Sequence, residues 1–430
     1  MLPLAKAISL GVYPQTELAD LKNLVGALIS VLFLICRALA VMGLDHLWRF
    51  RILRARKACK SENVATVFFG EGPSIKASNI AGDEDQGEPH YPALASKFYV
   101  NALVTANRRL SAVVAENELL LPQAAQDGPW SFSLGDPIVG GLLRYDHPHV
   151  LSYIKERNEI VPHAIFIGSW TPSNWYHWLI DLLPSVYLSR KLSPPYSDWP
   201  VLIPEAALAR KNWREPLFAI LEGRPWLRLP ADSFTRCKEL LWIDSPSSPG
   251  PVNALNGSSP QFEMHREAMI SYRDFMRRRF LQVSGTSQGP TFPSRIFIAR
   301  RPGSERNYNQ GELVEVAARV GFEPVFLEDY SFGDLVTLMS KCEAIVGPHG
   351  AGWASAIFCR PGTRGLLWTW TVGGGENWYS NLGSLSDMEL TLVSTTGSSP
   401  ENRFDLDPGI FEFELERLGL RELRRYGRQT

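Results

Sequence analysis

Between Arg295 and Val393 the chain alternates short apolar runs with amphipathic helical patterns. That rhythm implies a parallel sheet covered by helices on both faces, because parallel neighbours need a crossover between them. Arg295-Ile296-Phe297-Ile298-Ala299-Arg300 reads as the first strand. Leu313, Val316, Ala317 and Val320 follow at i, i+3, i+4, i+7 spacing, with Gly321 as the stop. Pro324 to Leu327 is the second strand. Ser331, with Asp334 three residues on, opens a helix carrying Leu335, Val336, Leu338, Met339 and Cys342. Ala344 to Gly347 is the third strand, and a short helix then runs through Phe358. Strands near Gly365 to Trp370 and Leu390 to Val393 end the series. The pattern is that of a Rossmann-like nucleotide-binding domain.

In such sheets ligands bind beyond the carboxyl ends of strands. The third strand ends in Gly347-Pro348-His349-Gly350-Ala351-Gly352. Glycines there admit a close approach of backbone to ligand, and the following helix start offers unpaired N–H groups to an anion. A diphosphate suits this loop, although a tight turn would also need glycine, and His349 also reads as a core histidine. The stretch matches neither the dinucleotide G-x-G-x-x-G fingerprint nor a Walker A loop. Arg300 and Arg301 sit at the carboxyl end of the first strand and Arg306 in the loop after it, and arginine forks suit phosphate.

The earlier half holds a second polar signature. Ser173 to Leu188 reads as a helix whose apolar surface is Trp175, Trp178, Leu179, Leu182 and Leu183. Asn174 is placed as its cap, and Pro184 is expected to kink or end it. Asn174, His177 and Asp181 share one face at i, i+3, i+7. A histidine and an aspartate four residues apart can hydrogen-bond, and either can take a proton from a hydroxyl. A capped helix with a buried His–Asp pair and no chemistry fits the same residues.

Composition narrows the class. A chain of 430 residues with net charge −1 has mass for two or three domains and no bulk field directed at nucleic acid. The five cysteines are scattered and never in C-x-x-C, which suits a reducing compartment rather than a disulfide framework or zinc site. Leu24 to Leu44 is apolar but for Arg37, and Arg49, Arg51, Arg54, Arg56, Lys57 and Lys60 follow closely. A transmembrane anchor, an interfacial helix and a buried core helix all remain open. The basic flank places the main body on the cytoplasmic side of a membrane, as a peripheral or single-span protein.

Taken together, Asn174-Trp175-Tyr176-His177-Trp178-Leu179-Ile180-Asp181-Leu182-Leu183-Pro184, Arg295 to Arg300, Arg306-Asn307, Gly321-Phe322-Glu323, Ile345 to Gly352 and Ile357 to Thr363 resemble glycosyltransferase family 61 over about residues 160–395. The resemblance implies an α/β chain with two Rossmann-like domains facing a cleft (the GT-B type) behind an N-terminal hydrophobic helix. The expected segments are 1–60 (membrane-associated), 61–288 (acceptor side), 289–400 (nucleotide-sugar side) and 401–430 (a helical tail). It implies an inverting, metal-independent transferase using a nucleotide-sugar, a UDP-sugar above all, on a glycan or other hydroxyl acceptor in surface polysaccharide assembly. His177 or Asp181 is then the base. Arg300, Arg306, His349, Gly350, Ala351 and Gly352 hold the donor, and Asn174 and Trp175 serve the acceptor or the helix itself. No cofactor or metal is expected: Asp83-Glu84-Asp85 and Asp405-Leu406-Asp407 match the D-x-D string of metal-dependent transferases but sit in polar, loop-like contexts. Ser185, Leu366-Leu367-Trp368 and Ala354-Ser355 stand where the family usually carries Arg, an acidic residue and Asn. A catalytically inactive glycan-binding homologue and a nucleotide-sugar epimerase are the rival readings.

Overall fold

The computed structural model describes residues 27–28, 30–32, 34–36, 50–57, 64–76, 90–106, 111–121, 130–131, 142–146, 149–168, 173–249, 252–253, 262–281, 292–303, 307–370, 379–395 and 404–419. It is a mixed α/β chain with several sheets, and it divides into two compact units. The first comprises residues 1–72 and 90–261, the second 73–89 and 262–430. The helix Arg266–Leu281, which the sequence places ahead of a boundary near residue 288, groups with the second unit.

The second unit follows the expected rhythm. Its five strands lie in the order Glu323–Val325, Arg295–Ile298, Ala344–Pro348, Arg364–Trp370, Glu389–Thr395. All four pairings are parallel. One face packs Phe297, Val346, Leu366 and Trp368 against Leu313, Val316, Phe411 and Leu415 of the helices Gln310–Ala318 and Pro408–Arg417. On the other side, Phe332 meets Phe280 at 4.8 Å and Phe358 at 5.7 Å between ring centroids, tying three helical segments together. Each fully buried large apolar side chain contributes about 1.5–3 kcal/mol. The expected ends hold: Ser331 Oγ accepts from the Asp334 amide at 3.1 Å, and Gly321 takes a left-handed φ of 82° beyond the first helix. The element after the loop at 349–350 is a 3₁₀ stretch, Ala351–Phe358, rather than an α-helix.

The first unit departs further from a plain Rossmann domain. Four of its strands are mutually parallel, in the order Trp226–Leu229, Val201–Pro204, Glu156–Ile167, Phe234–Ile243. Beyond them the sheet continues through Leu94–Ala106, Ser111–Ala115 and Glu118–Leu121, each antiparallel to its neighbour, and then through Phe50–Lys57, His149–Tyr153 and Leu142–Asp146; with Val64–Phe69 paired to Leu94–Ala106 it reaches eleven strands. The helical segment Trp175–Ser189 follows the Glu156–Ile167 strand and forms most of the crossover to Val201–Pro204. Among the described residues of Leu24 to Leu44, Leu28, Val31, Leu34 and Ile35 are helical and exposed. No helix among the described residues is long and apolar enough to cross a membrane.

Close strand packing in the second unit requires a glycine. A Cβ at Gly347 would sit 2.9 Å from Ile298 Cβ on the adjoining strand. Gly347→Ala should lower the unfolding free energy by about 1–3 kcal/mol through overpacking. Denaturant melts of the two proteins measure this, and coincident midpoints would show that the strands separate freely.

Candidate functional site

Both units gather polar side chains at the same kind of place. In the first, the chain passes from Glu156–Ile167 outward through two strands, then returns to lay Phe234–Ile243 on the opposite side. The crevice at the carboxyl ends of these two neighbours is a topological switch point. One end feeds the helix that starts at Asn174, the other the segment Asp244–Ser247. In the second unit Arg295–Ile298 and Ala344–Pro348 stand in the same relation. Arg300 leaves one end and His349 the other.

Asn174 caps the first helix, its Oδ1 accepting from the Tyr176 amide at 2.9 Å. Trp175 stacks on Trp178 at 5.4 Å and lies 5.7 Å from Trp213, so one face of its ring is committed to the interior. The helix widens into a π turn over Trp178–Leu182, with the Leu183 amide reaching back to the Trp178 carbonyl, and continues to Ser189. It therefore does not end at Pro184. Proline offers no N–H and crowds the carbonyl four residues back, and the wider turn next to it relieves both demands.

On this helix His177 Nδ1 lies 2.6 Å from Asp181 Oδ2. Asp181 is 1 % exposed, whereas the His177 side chain is 15 % exposed. The other carboxylate oxygen of Asp181, Oδ1, accepts from Ser247 Oγ at 2.8 Å. Its backbone carbonyl accepts from Ser185 Oγ at 3.1 Å. Burial pushes the Asp181 carboxyl above the ordinary range, while His177 and Ser247 pull it back down. Asp181 is thus enclosed, and of the pair His177 has the access to solvent. Ser245 and Ser247 were not among the expected site residues. They lie in a Ser/Pro/Gly run that reads as a surface loop, and only the adjacency of two strands brings them to the helix.

In the second unit Arg300 donates from Nη2 to the His349 carbonyl. Its guanidinium lies 5.5 Å from the Tyr308 ring centroid and 5.4 Å from that of Phe404, contacts that favour a fixed cation. Gln310 brackets the Arg300 backbone, accepting from its amide at 2.7 Å and donating to its carbonyl at 3.0 Å. His349 packs 4.9 Å from Tyr379 and stacks on Phe404 at 6.3 Å. Gly350, Ala351 and Gly352 are partly exposed, and a Cβ on Gly350 would come within 3.1 Å of Arg300 Nη2. Arg301 instead forms exposed ion pairs with Asp329 and Glu328. Arg306 lies outside the described residues, as do Asp83, Glu84 and Asp85. The apolar run Leu366-Leu367-Trp368 is buried, and the Trp368 indole donates to the Phe404 carbonyl at 3.0 Å.

Both aspartates of the second D-x-D string have structural uses. Asp405 Oδ1 accepts from the Asn309 amide at 3.0 Å, and Asp407 caps a helix through the amides of Gly409 and Ile410. Among the described residues no group of three or more His, Cys, Asp or Glu side chains is arranged to hold a metal ion.

The chain matches the family model Glycosyltransferase 61 over residues 175–366, a span that contains the His177 helix, the Arg300 strand and the His349 loop. It is 29% identical over 119 residues to protein O-linked-mannose beta-1,4-N-acetylglucosaminyltransferase 2 of Bos taurus, covering 26% of this chain and 20% of that protein. It is 26% identical over 126 residues to alpha-1,3-arabinosyltransferase XAT2 of Oryza sativa subsp. japonica, covering 27% of this chain and 21% of that one. The matched part therefore spans about a fifth of each relative's length. The family model and both relatives agree, and residues 175–366 are similar to glycosyltransferase family 61.

Proposed function

We propose that the chain transfers a sugar from a nucleoside-diphosphate sugar to a hydroxyl acceptor, with inversion, and that His177 is the base. The observation that carries the assignment of the base is the enclosure of Asp181: its oxygens are occupied by His177 and Ser247, and it is 1 % exposed. A carboxylate so placed orients an imidazole and stabilises its protonated form rather than meeting substrate itself. The acceptor O–H gives its proton to His177 as its oxygen attacks the anomeric carbon, and the bond from that carbon to the diphosphate oxygen breaks. A single displacement of this kind inverts the centre.

The negative charge gathering on the departing diphosphate calls for fixed donors. Arg300, held beside Tyr308 and Phe404, and the backbone at Gly350, Ala351 and Gly352 are assigned to it. Arg306 and the His349 ring are assigned to the donor as well, on the family resemblance. On the resemblance, the fold is assigned to the GT-B type. Uridine diphosphate is the nucleotide we assign, and a growing surface glycan the acceptor, also on the resemblance. One relative is named for N-acetylglucosamine and the other for arabinose, so what passes to this chain is sugar transfer and not the sugar. Trp175, beside the base and partly exposed, is suited to stack on an acceptor ring.

We also propose that the chain works against the cytoplasmic face of a membrane. Exposed Leu28, Val31, Leu34 and Ile35 on helical residues, followed by the basic run from Arg49 to Lys60, support an interfacial rather than a spanning segment.

The test is to screen UDP-, GDP- and TDP-sugars by thermal shift and then to assay transfer. A bound donor at 100 times its Kd should add about 2.7 kcal/mol of stability. His177→Gln should bind that donor normally and lose on the order of 10²- to 10⁴-fold in kcat. Binding without transfer would favour a glycan-binding homologue, and conversion of the donor with no acceptor present an epimerase.

Metal independence is a separate expectation. It is supported by the structural employment of Asp405 and Asp407. Turnover should survive excess EDTA, and its abolition would require a metal-assisted departure of the diphosphate.

A further inference from the structure

The segment after the Phe234–Ile243 strand is built with unusual care for a stretch rich in serine and proline. Asp244 accepts from Lys97 Nζ at 2.6 Å and from the Ala95 amide at 3.2 Å, and the side chains of Lys97 and Asp244 are almost wholly buried. A buried ion pair of this kind is costly unless its geometry is good and its remaining valences are met. It anchors the point where the chain leaves the sheet. The next residue is held at both ends: Tyr91 Oη donates to the Ser245 carbonyl at 3.0 Å, and Ser245 Oγ lies 3.3 Å from the Asp181 carbonyl. Two residues on, Ser247 is 1 % exposed and donates to Asp181 Oδ1 at 2.8 Å. The anchoring thus ends in one hydroxyl aimed at one carboxylate oxygen.

We infer that Ser247 is a positioning residue that fixes the Asp181 carboxylate, so that the His177 imidazole carries its proton on Nδ1 and keeps Nε2 as the basic nitrogen. This rests on the role proposed for His177. An aspartate carboxylate can rotate about its χ2 and present either oxygen. With Oδ1 taken by Ser247, only Oδ2 faces the histidine, at 2.6 Å. A neutral imidazole that donates through Nδ1 is basic at the other nitrogen. Ser247 would act through two intervening groups without touching substrate. A serine that merely satisfied a buried oxygen would affect stability and leave the tautomer alone.

The tautomer is therefore the quantity to measure. In the full chain labelled with ¹⁵N-histidine, the signals of His177 among the eight histidines are identified by their loss in His177→Gln. Wild type should show a single Nδ1–H tautomer with a slowly exchanging proton. Ser247→Ala should give mixed tautomers and fast exchange, and Ser247→Thr, which keeps the hydroxyl, should restore the wild-type spectrum. Transfer by Ser247→Ala should fall about tenfold in kcat, the worth of one hydrogen bond to a charged group, with donor KM unchanged. If the alanine variant fails to fold, Ser247→Cys preserves the volume with a weaker donor and should shift the same signals. An unaltered His177 tautomer in a folded Ser247→Ala or Ser247→Cys protein overturns the inference. Altered tautomers in a chain whose wild type transfers no sugar would uphold the positioning and defeat the transferase reading.

Discussion

The carboxylate of Asp181 has almost no access to water, and the arrangement of the first unit's polar cluster follows from that. An isolated charge so placed would cost several kcal/mol or be neutralised by protonation. Its partners must come from the chain itself. One arrives from the preceding helical turn as His177, and one from across the sheet as Ser247. The π turn that carries Asp181 is part of the same solution, since it lets the helix run past Pro184 with five consecutive residues from Trp178 to Leu182 buried. Burial raises the Asp181 carboxyl and its partners oppose the rise. The proposed chemistry divides accordingly, with the enclosed group assigned to orient and the accessible imidazole to exchange protons.

The two units reach comparable ends by the same topological rule. Each has a pair of parallel neighbours from which the chain departs in opposite directions, and each places its chemistry-bearing residues where those strands stop. The surroundings differ in character. The first cluster is a hydrogen-bonded carboxylate and imidazole beside stacked tryptophans, suited to moving a proton. The second is a guanidinium in contact with aromatic rings beside a glycine-bearing turn, suited to holding an anion. At the end of the strand leading into that turn Gly347 is fixed by packing, with Ile298 Cβ too close for a side chain, while a side chain at Gly352 would require Leu327 to shift.

What could be read in advance divides along the range of the interactions. The strands from Arg295 to Thr395, the helices Gln310–Ala318 and Phe332–Lys341, the Ser331 and Asn174 caps and the His177–Asp181 pair are written in local spacing, which reveals them, whereas the short helix Ser380–Leu385 was not expected. Ser247 was invisible because its partner lies 66 residues away, and its serine- and proline-rich surroundings carry the composition of a surface loop. The antiparallel extension of the first sheet was likewise not foreseen, because pairings such as Leu94–Ala106 with Phe234–Ile243 are set by long-range register and leave no local period. The same holds for Asp405, whose partner is the Asn309 amide. The 3₁₀ form of Ala351–Phe358 escaped for another reason: apolar spacing over eight residues does not separate it from an α-helix.

The central claim is that His177 removes the proton from the acceptor. The most direct measurement compares transfer, at about pH 8.5, to an alcohol acceptor and to its thiol analogue, which is substantially ionised there and depends far less on a base. The account predicts that His177→Gln loses alcohol transfer while thiol transfer stays close to the wild-type rate. Equal loss with both acceptors would contradict it and leave His177 as a structural member of a buried pair.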